Sequence, residues 1–141
     1  MTARVKAKPP ESQYRKGQLV KRAACADIPS AVRRLVMRRD QYRCQRCGRQ
    51  ALHVPHSLNH RDARSQGGLH DPANLIFLCG SGSTGCHGQI EESPEEAYQF
   101  GFKLRRGCDP ASHPVLRFMD RWEQPTADGW VPAPAPDSAV A

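Results

Sequence analysis

The chain has 141 residues and a formal net charge of +7; 38% of its residues are hydrophobic, and twelve prolines sit beside eleven glycines. That length fits one small domain with tails and excludes two full cores. No apolar run reaches the roughly eighteen residues of a membrane span, and the start, MTARVKAKPPES, lacks the apolar stretch of a secretory signal.

A reducing, cytoplasmic setting is therefore expected, where cysteines bind metal more often than they form disulfides. So little apolar material makes a marginal core, which a metal staple would reinforce. Residues 1–50 hold fourteen Lys/Arg against three acids. An arm of that density attracts a polyanion, most simply the phosphate backbone of nucleic acid, although it also suits a merely solvated segment.

In chain order, residues 1–28 read as a basic flexible arm, 29–123 as the domain and 124–141 as a Pro/Ala-rich flexible tail. Val32, Leu35 and Val36 recur at helical spacing among Arg33, Arg34, Arg38 and Arg39, which predicts a helix near 30–41 with Ser30 as N-cap. Cys44-Gln45-Arg46-Cys47-Gly48 reads as a zinc knuckle, its glycine permitting left-handed backbone. Leu52, Val54 and Leu58 suggest an extended segment ending at Asn59-His60. Residues 61–72 form a loop marked by Gly67-Gly68 and Asp71-Pro72.

Leu75 to Leu78 is a short apolar strand or buried turn, and 80–85 is a Gly/Ser connector. A helix starts near His87 and runs into 91–100, its limits blurred by Pro94. Residues 101–123 give weak strand or loop signals.

Four thiols, Cys44, Cys47, Cys79 and Cys86, come in two pairs, and two converging turns are what a tetrahedral zinc site requires. Cys25 and Cys108 have no close partner and read as ordinary free thiols.

Between and beside the pairs stand Asn59, His60, Asn74 and His87. Phosphodiester hydrolysis needs a group to deprotonate water and a cation to stabilise charge on phosphate and leaving oxygen. Neutral imidazole suits the first task, so His60 is a candidate base. Asn59, His87 and Glu91, one helical turn after His87, are candidate ligands for Mg²⁺, Mn²⁺ or a similar divalent ion. Arg61 and Arg64, with Arg38 and Arg39 of the helix, are candidate phosphate contacts. His53, His56, His70 and His113 read as structural hydrogen-bonders.

The run Cys-x2-Cys, Asn-His-Arg, Gly-Gly, Ala-Asn-Leu-Ile-Phe-Leu-Cys, Cys-His resembles the HNH endonuclease family. Residues 78–88 look particularly like small HNH proteins of actinobacterial phages and prophages, as do Gly101-Phe102, Arg106-Gly107, Asp109-Pro110, Pro114-Val115 and Asp128-Gly129. The resemblance implies an α+β fold: a zinc-stapled ββα-metal finger with a flanking helix. His60 would be the general base, Asn74 the brace of the finger loop or a contact to the metal, and His87 a metal ligand. Asn59 departs from the family, which usually places Asp or His there as a ligand.

The implied activity is metal-dependent cleavage of double-stranded DNA, by nicking or double-strand breakage, leaving 5′-phosphate and 3′-hydroxyl ends. The expected assembly is a monomer, with the phage terminase large subunit and portal as implied partners in DNA packaging. A non-catalytic zinc-stabilised nucleic-acid-binding module and an accessory scaffold are the alternatives.

Overall fold

A computed structural model of the chain describes residues 27–137. The basic arm, apart from its last two residues, and Cys25 lie outside that range. Helix α1 spans Ser30–Arg39; Val32 and Val36, four residues apart, are buried while Arg33, Arg34 and Arg38 face solvent. Pro29 occupies the N-cap and no side chain caps the helix, so Ser30 does not have that role. At the other end Arg38 and Arg39 complement the C-terminal dipole.

Asp40, directly after α1, is fully buried and organises the domain. Its carboxylate accepts hydrogen bonds from Arg39 (2.7 and 3.1 Å), from the backbone N–H of Phe77 (2.9 Å) and from the indole of Trp130 (3.0 Å). A buried carboxylate with that many donors has replaced its water shell. These bonds tie helix, central strand and C-terminal segment together.

Strand β1 (His56–His60) pairs antiparallel with β2 (Leu75–Cys79), placing His60 opposite Leu75 and His56 opposite Cys79. All five β2 residues are buried, because the continuous run Leu-Ile-Phe-Leu-Cys has protein on both faces. Helix α2 (Gly85–Glu92) follows, then α3 (Pro94–Gln99). The single helix expected over 87–100 is two. Pro94 cannot donate the bond that would continue α2, and it opens α3 instead. The core joins Val32 and Val36 to Leu58, Leu75–Leu78, Ile90, Ala97, Phe102 and Val115.

Strands β3 (Val115–Arg117), β4 (Arg121–Pro125) and β5 (Trp130–Pro132) form a second antiparallel sheet in that order. The flexible tail expected from 124 onward therefore fails over 124–132. The Trp130 ring lies under the guanidiniums of Arg39 (5.0 Å) and Arg117 (4.8 Å) while its N–H bonds Asp40, and these contacts hold the segment to the domain. No helix among the described residues is long and apolar enough to cross a membrane. The fold is α+β.

Candidate metal centre and active site

The knuckle after α1 closes through Gly48 N–H to Cys44 O (2.8 Å), with Gly48 in left-handed geometry at φ 79°. This turn presents Cys44 and Cys47. The end of β2 presents Cys79, and the first turn of α2 presents Cys86. A tight turn between them brings Gly80 so near Thr84 that an added Cβ would lie 2.0 Å from the Thr84 carbonyl oxygen.

The four sulfurs all lie within 4.8 Å of one another, with Cys47 Sγ and Cys79 Sγ 4.0 Å apart. Zinc–sulfur bonds of about 2.3 Å in a tetrahedron put sulfurs about 3.8 Å apart, so the cluster is the size of a zinc cage. A bond from the Cys86 thiol holds Cys44 down to about 4 and, reciprocally, raises Cys86; burial raises Cys47. Were all four to ionise, a cation would have to offset their mutual repulsion.

A separate group forms across β1 and α2. The Ser57 hydroxyl donates to Gly80 O (3.0 Å), so toward His87 Nδ1, 2.6 Å away, it can only accept. His87 therefore carries its proton on Nδ1 and keeps a lone pair on Nε2. Burial pushes His87 below the usual histidine range; Glu91 opposes this and Lys103 reinforces it. Glu91 Oε1 is 3.9 Å from His87 Nε2, while Glu91 Oε2 accepts from Lys103 Nζ at 3.0 Å. Two ligand atoms at about 2.1 Å from one ion and 90° apart would be about 3 Å from each other, so a small side-chain rotation would bring this pair onto a divalent ion. Asn59, buried on the same face of β1 as Ser57, donates Nδ2–H to Phe102 O (2.8 Å), leaving Oδ1 as the one atom it can offer a cation.

His60 ends β1. Its Nε2 is 3.0 Å from His70 Nδ1, and the ring centroids are 5.2 Å apart. Burial lowers His60 to about 4, and the positive surroundings of His70, Arg64, Arg33 and His87 add to the shift. The ring is consequently neutral, in its proton-accepting form, at neutral pH. Arg33 and His70 were not singled out by the sequence for this region. Arg33 is one of four similar helix arginines, and His70 is a loop histidine whose partner only the fold supplies.

Asn74 is buried, and both ends of its amide are used on the loop that follows β1. Oδ1 accepts Asp62 N–H (2.7 Å), while Nδ2 donates to Asp62 O (3.1 Å) and Leu69 O (3.0 Å). Gly68 lets this loop fold tightly, since a Cβ there would sit 1.8 Å from Asp62 O.

Two of the four candidate phosphate contacts are corrected. Arg61 is buried, and its guanidinium donates to the carbonyls of Gly101 (2.8 Å), Ala73 (3.1 Å), Pro110 (3.0 Å), His113 (2.6 Å) and Pro114 (3.4 Å). Arg39 is buried in the same way, bonded to Asp40 and to the carbonyls of Pro72, Leu75 and Thr126. Neither fork has donors left for phosphate. Burial also lowers Arg61 to about 9, with Arg39 as the nearby like charge. Arg38 and Arg64 remain exposed.

Arg61→Lys removes the planar fork and leaves several carbonyls unpaired, each costing about 1–3 kcal/mol. The expected result is a lower urea midpoint with an unchanged salt dependence of DNA binding. The opposite pair of results, an intact midpoint with a shallower salt slope, would return Arg61 to the phosphate surface.

A thiol-stapled pair of strands, followed by a helix that returns a histidine to the first strand, is a ββα-metal finger. Residues 44–92 match the family model described as HNH endonuclease; no curated protein and no solved structure matches the chain.

Proposed function

We propose that the protein is a metal-dependent HNH endonuclease acting on double-stranded DNA. The observation that carries this is the position of His60 and His87: a neutral imidazole at the end of β1, and on α2 a second imidazole whose unprotonated Nε2 faces a carboxylate. His60 takes a proton from water through the ring nitrogen that does not face His70. The water oxygen bonds to phosphorus, the bond from phosphorus to the 3′ oxygen breaks, and that oxygen takes a proton from solvent. The ends are then 5′-phosphate and 3′-hydroxyl.

His87, Glu91 and the Asn59 carbonyl would hold Mg²⁺, Mn²⁺ or a similar ion, which supplies charge stabilisation at the phosphate when bound. The thiol cluster would hold Zn²⁺ as a staple. Asn74 braces the loop beside the base. Exposed Arg38 and Arg64, with Arg33 near His60, form a cationic surface for the DNA backbone.

One active site per chain makes a nick the natural single event, and we read the protein as a cytoplasmic monomer. A place beside a phage terminase large subunit and portal is supported only by the resemblance of residues 78–88 and of the later Gly101–Gly129 positions to small phage HNH proteins.

The test is conversion of supercoiled plasmid to relaxed circle by zinc-loaded protein, across Mg²⁺, Mn²⁺ and chelator, with His87→Ala alongside. The parent should nick only with the added divalent ion, and His87→Ala should need far more of it. A second reading, a zinc module that binds nucleic acid without cutting it, draws on the Lys103–Glu91 ion pair and on the neutral Asn59, both of which weaken a cation site. Salt-sensitive DNA binding with no nicking in any metal would establish that reading instead.

A further inference from the structure

His60 has one ring contact within the described part of the protein, the 3.0 Å approach of its Nε2 to His70 Nδ1. One of those two nitrogens must carry the proton and the other the lone pair, so the contact couples the tautomers of both rings. Asn74 fixes the geometry from both sides. Its backbone carbonyl accepts Arg61 N–H (2.8 Å), next to His60, while its side chain donates to Leu69 O (3.0 Å), next to His70. The spacing of the rings is thus set by a single buried residue and not by a free loop.

We propose that His70 is a positioning residue for His60: its Nδ1 accepts the Nε2–H of His60, fixing the tautomer in which the His60 Nδ1 lone pair faces the attacking water. This rests on the reading of His60 as the base. The Nε2–H···Nδ1 bond also holds the ring plane while Nδ1 gains the proton from water. The imidazolium formed then keeps the His70 Nδ1 lone pair as the acceptor for its Nε2–H. The arrangement orients an imidazole through its second nitrogen, as a carboxylate does in hydrolase triads, with a second imidazole in the carboxylate's place.

The experiment uses the zinc-loaded full chain and two readouts. Long-range ¹H–¹⁵N spectra at neutral pH report which His60 nitrogen carries the proton, whether or not the protein cleaves. Plasmid nicking gives kcat and KM. The parent should show His60 protonated on Nε2 alone. His70→Ala should give mixed His60 tautomers and a kcat lower by roughly tenfold to a hundredfold, with KM, zinc content and melting temperature little changed. His70→Asn, whose amide oxygen can take the place of Nδ1, should restore the single tautomer and most of kcat. His60 protonated on Nδ1 in the parent overturns the proposal, as does a His70→Ala variant with unchanged tautomer and kcat. If the parent does not cleave at all, the base reading fails, and the spectra still decide the His60–His70 pair.

Discussion

Replacing Cys79 with serine is expected to release the zinc and unfold the domain, with no discrete melting transition above room temperature. Binding of a structural zinc by such a site is worth about 10–16 kcal/mol, while the whole stability of a small domain is about 5–15 kcal/mol. Cys79 makes the loss severe for a local reason. It ends the fully buried β2, and its sulfur sits 4.0 Å from that of Cys47 and 3.5 Å from the backbone N–H of Cys86. A metal held there would join knuckle, strand and helix at one point. Serine offers a hydroxyl that remains protonated near neutrality, a poor zinc ligand, and it leaves three crowded thiols without their counter-cation. Cys108→Ser is the control, since Cys108 lies outside the cluster. Zinc content by atomic spectroscopy and far-UV dichroism on heating give the answer. One equivalent of zinc and a parental melt in Cys79→Ser would mean that the cluster is not the staple.

The sequence made the four-thiol cluster legible because thiol spacing is local: each pair needs only one tight turn, and Gly48 and Gly80–Gly85 permit those turns. It made β2 legible because five apolar residues in a row have few other options in so polar a chain. What it could not distinguish was Arg61 from Arg64. Both follow His60 within four positions, yet Arg61 is buried by carbonyls from Gly101, Pro110, His113 and Pro114, forty or more residues away. The C-terminal strands were missed for a similar reason. Their composition reads as a tail, and what holds them is the Trp130–Asp40 bond spanning 90 positions. His70 has the same character: a loop histidine in sequence, it meets His60 only because Asn74 closes the intervening loop. Polar contacts of this kind leave no periodicity to read, whereas apolar patterning does.

His60→Ala is expected to reduce nicking by roughly 10²–10⁴-fold, the range a positioned general base contributes. Zinc content and fold should persist, because the ring is half-buried and makes one hydrogen bond, whose loss costs about 1 kcal/mol. That separates it from Cys79→Ser, where activity fails through unfolding, and from His87→Ala, where added metal should recover part of the rate. The combination with His70→Ala is the more incisive measurement. If His70 acts only through His60, removing it should cost up to a hundredfold in the parent and almost nothing once His60 is alanine. A residue that supported the fold, or touched the DNA itself, would instead subtract the same factor in both backgrounds. Parental nicking by His60→Ala would remove the base assignment outright. A full loss, joined to a vanished His70 effect, would make the two rings one functional unit, with His70 acting on the reaction through the orientation of His60 alone.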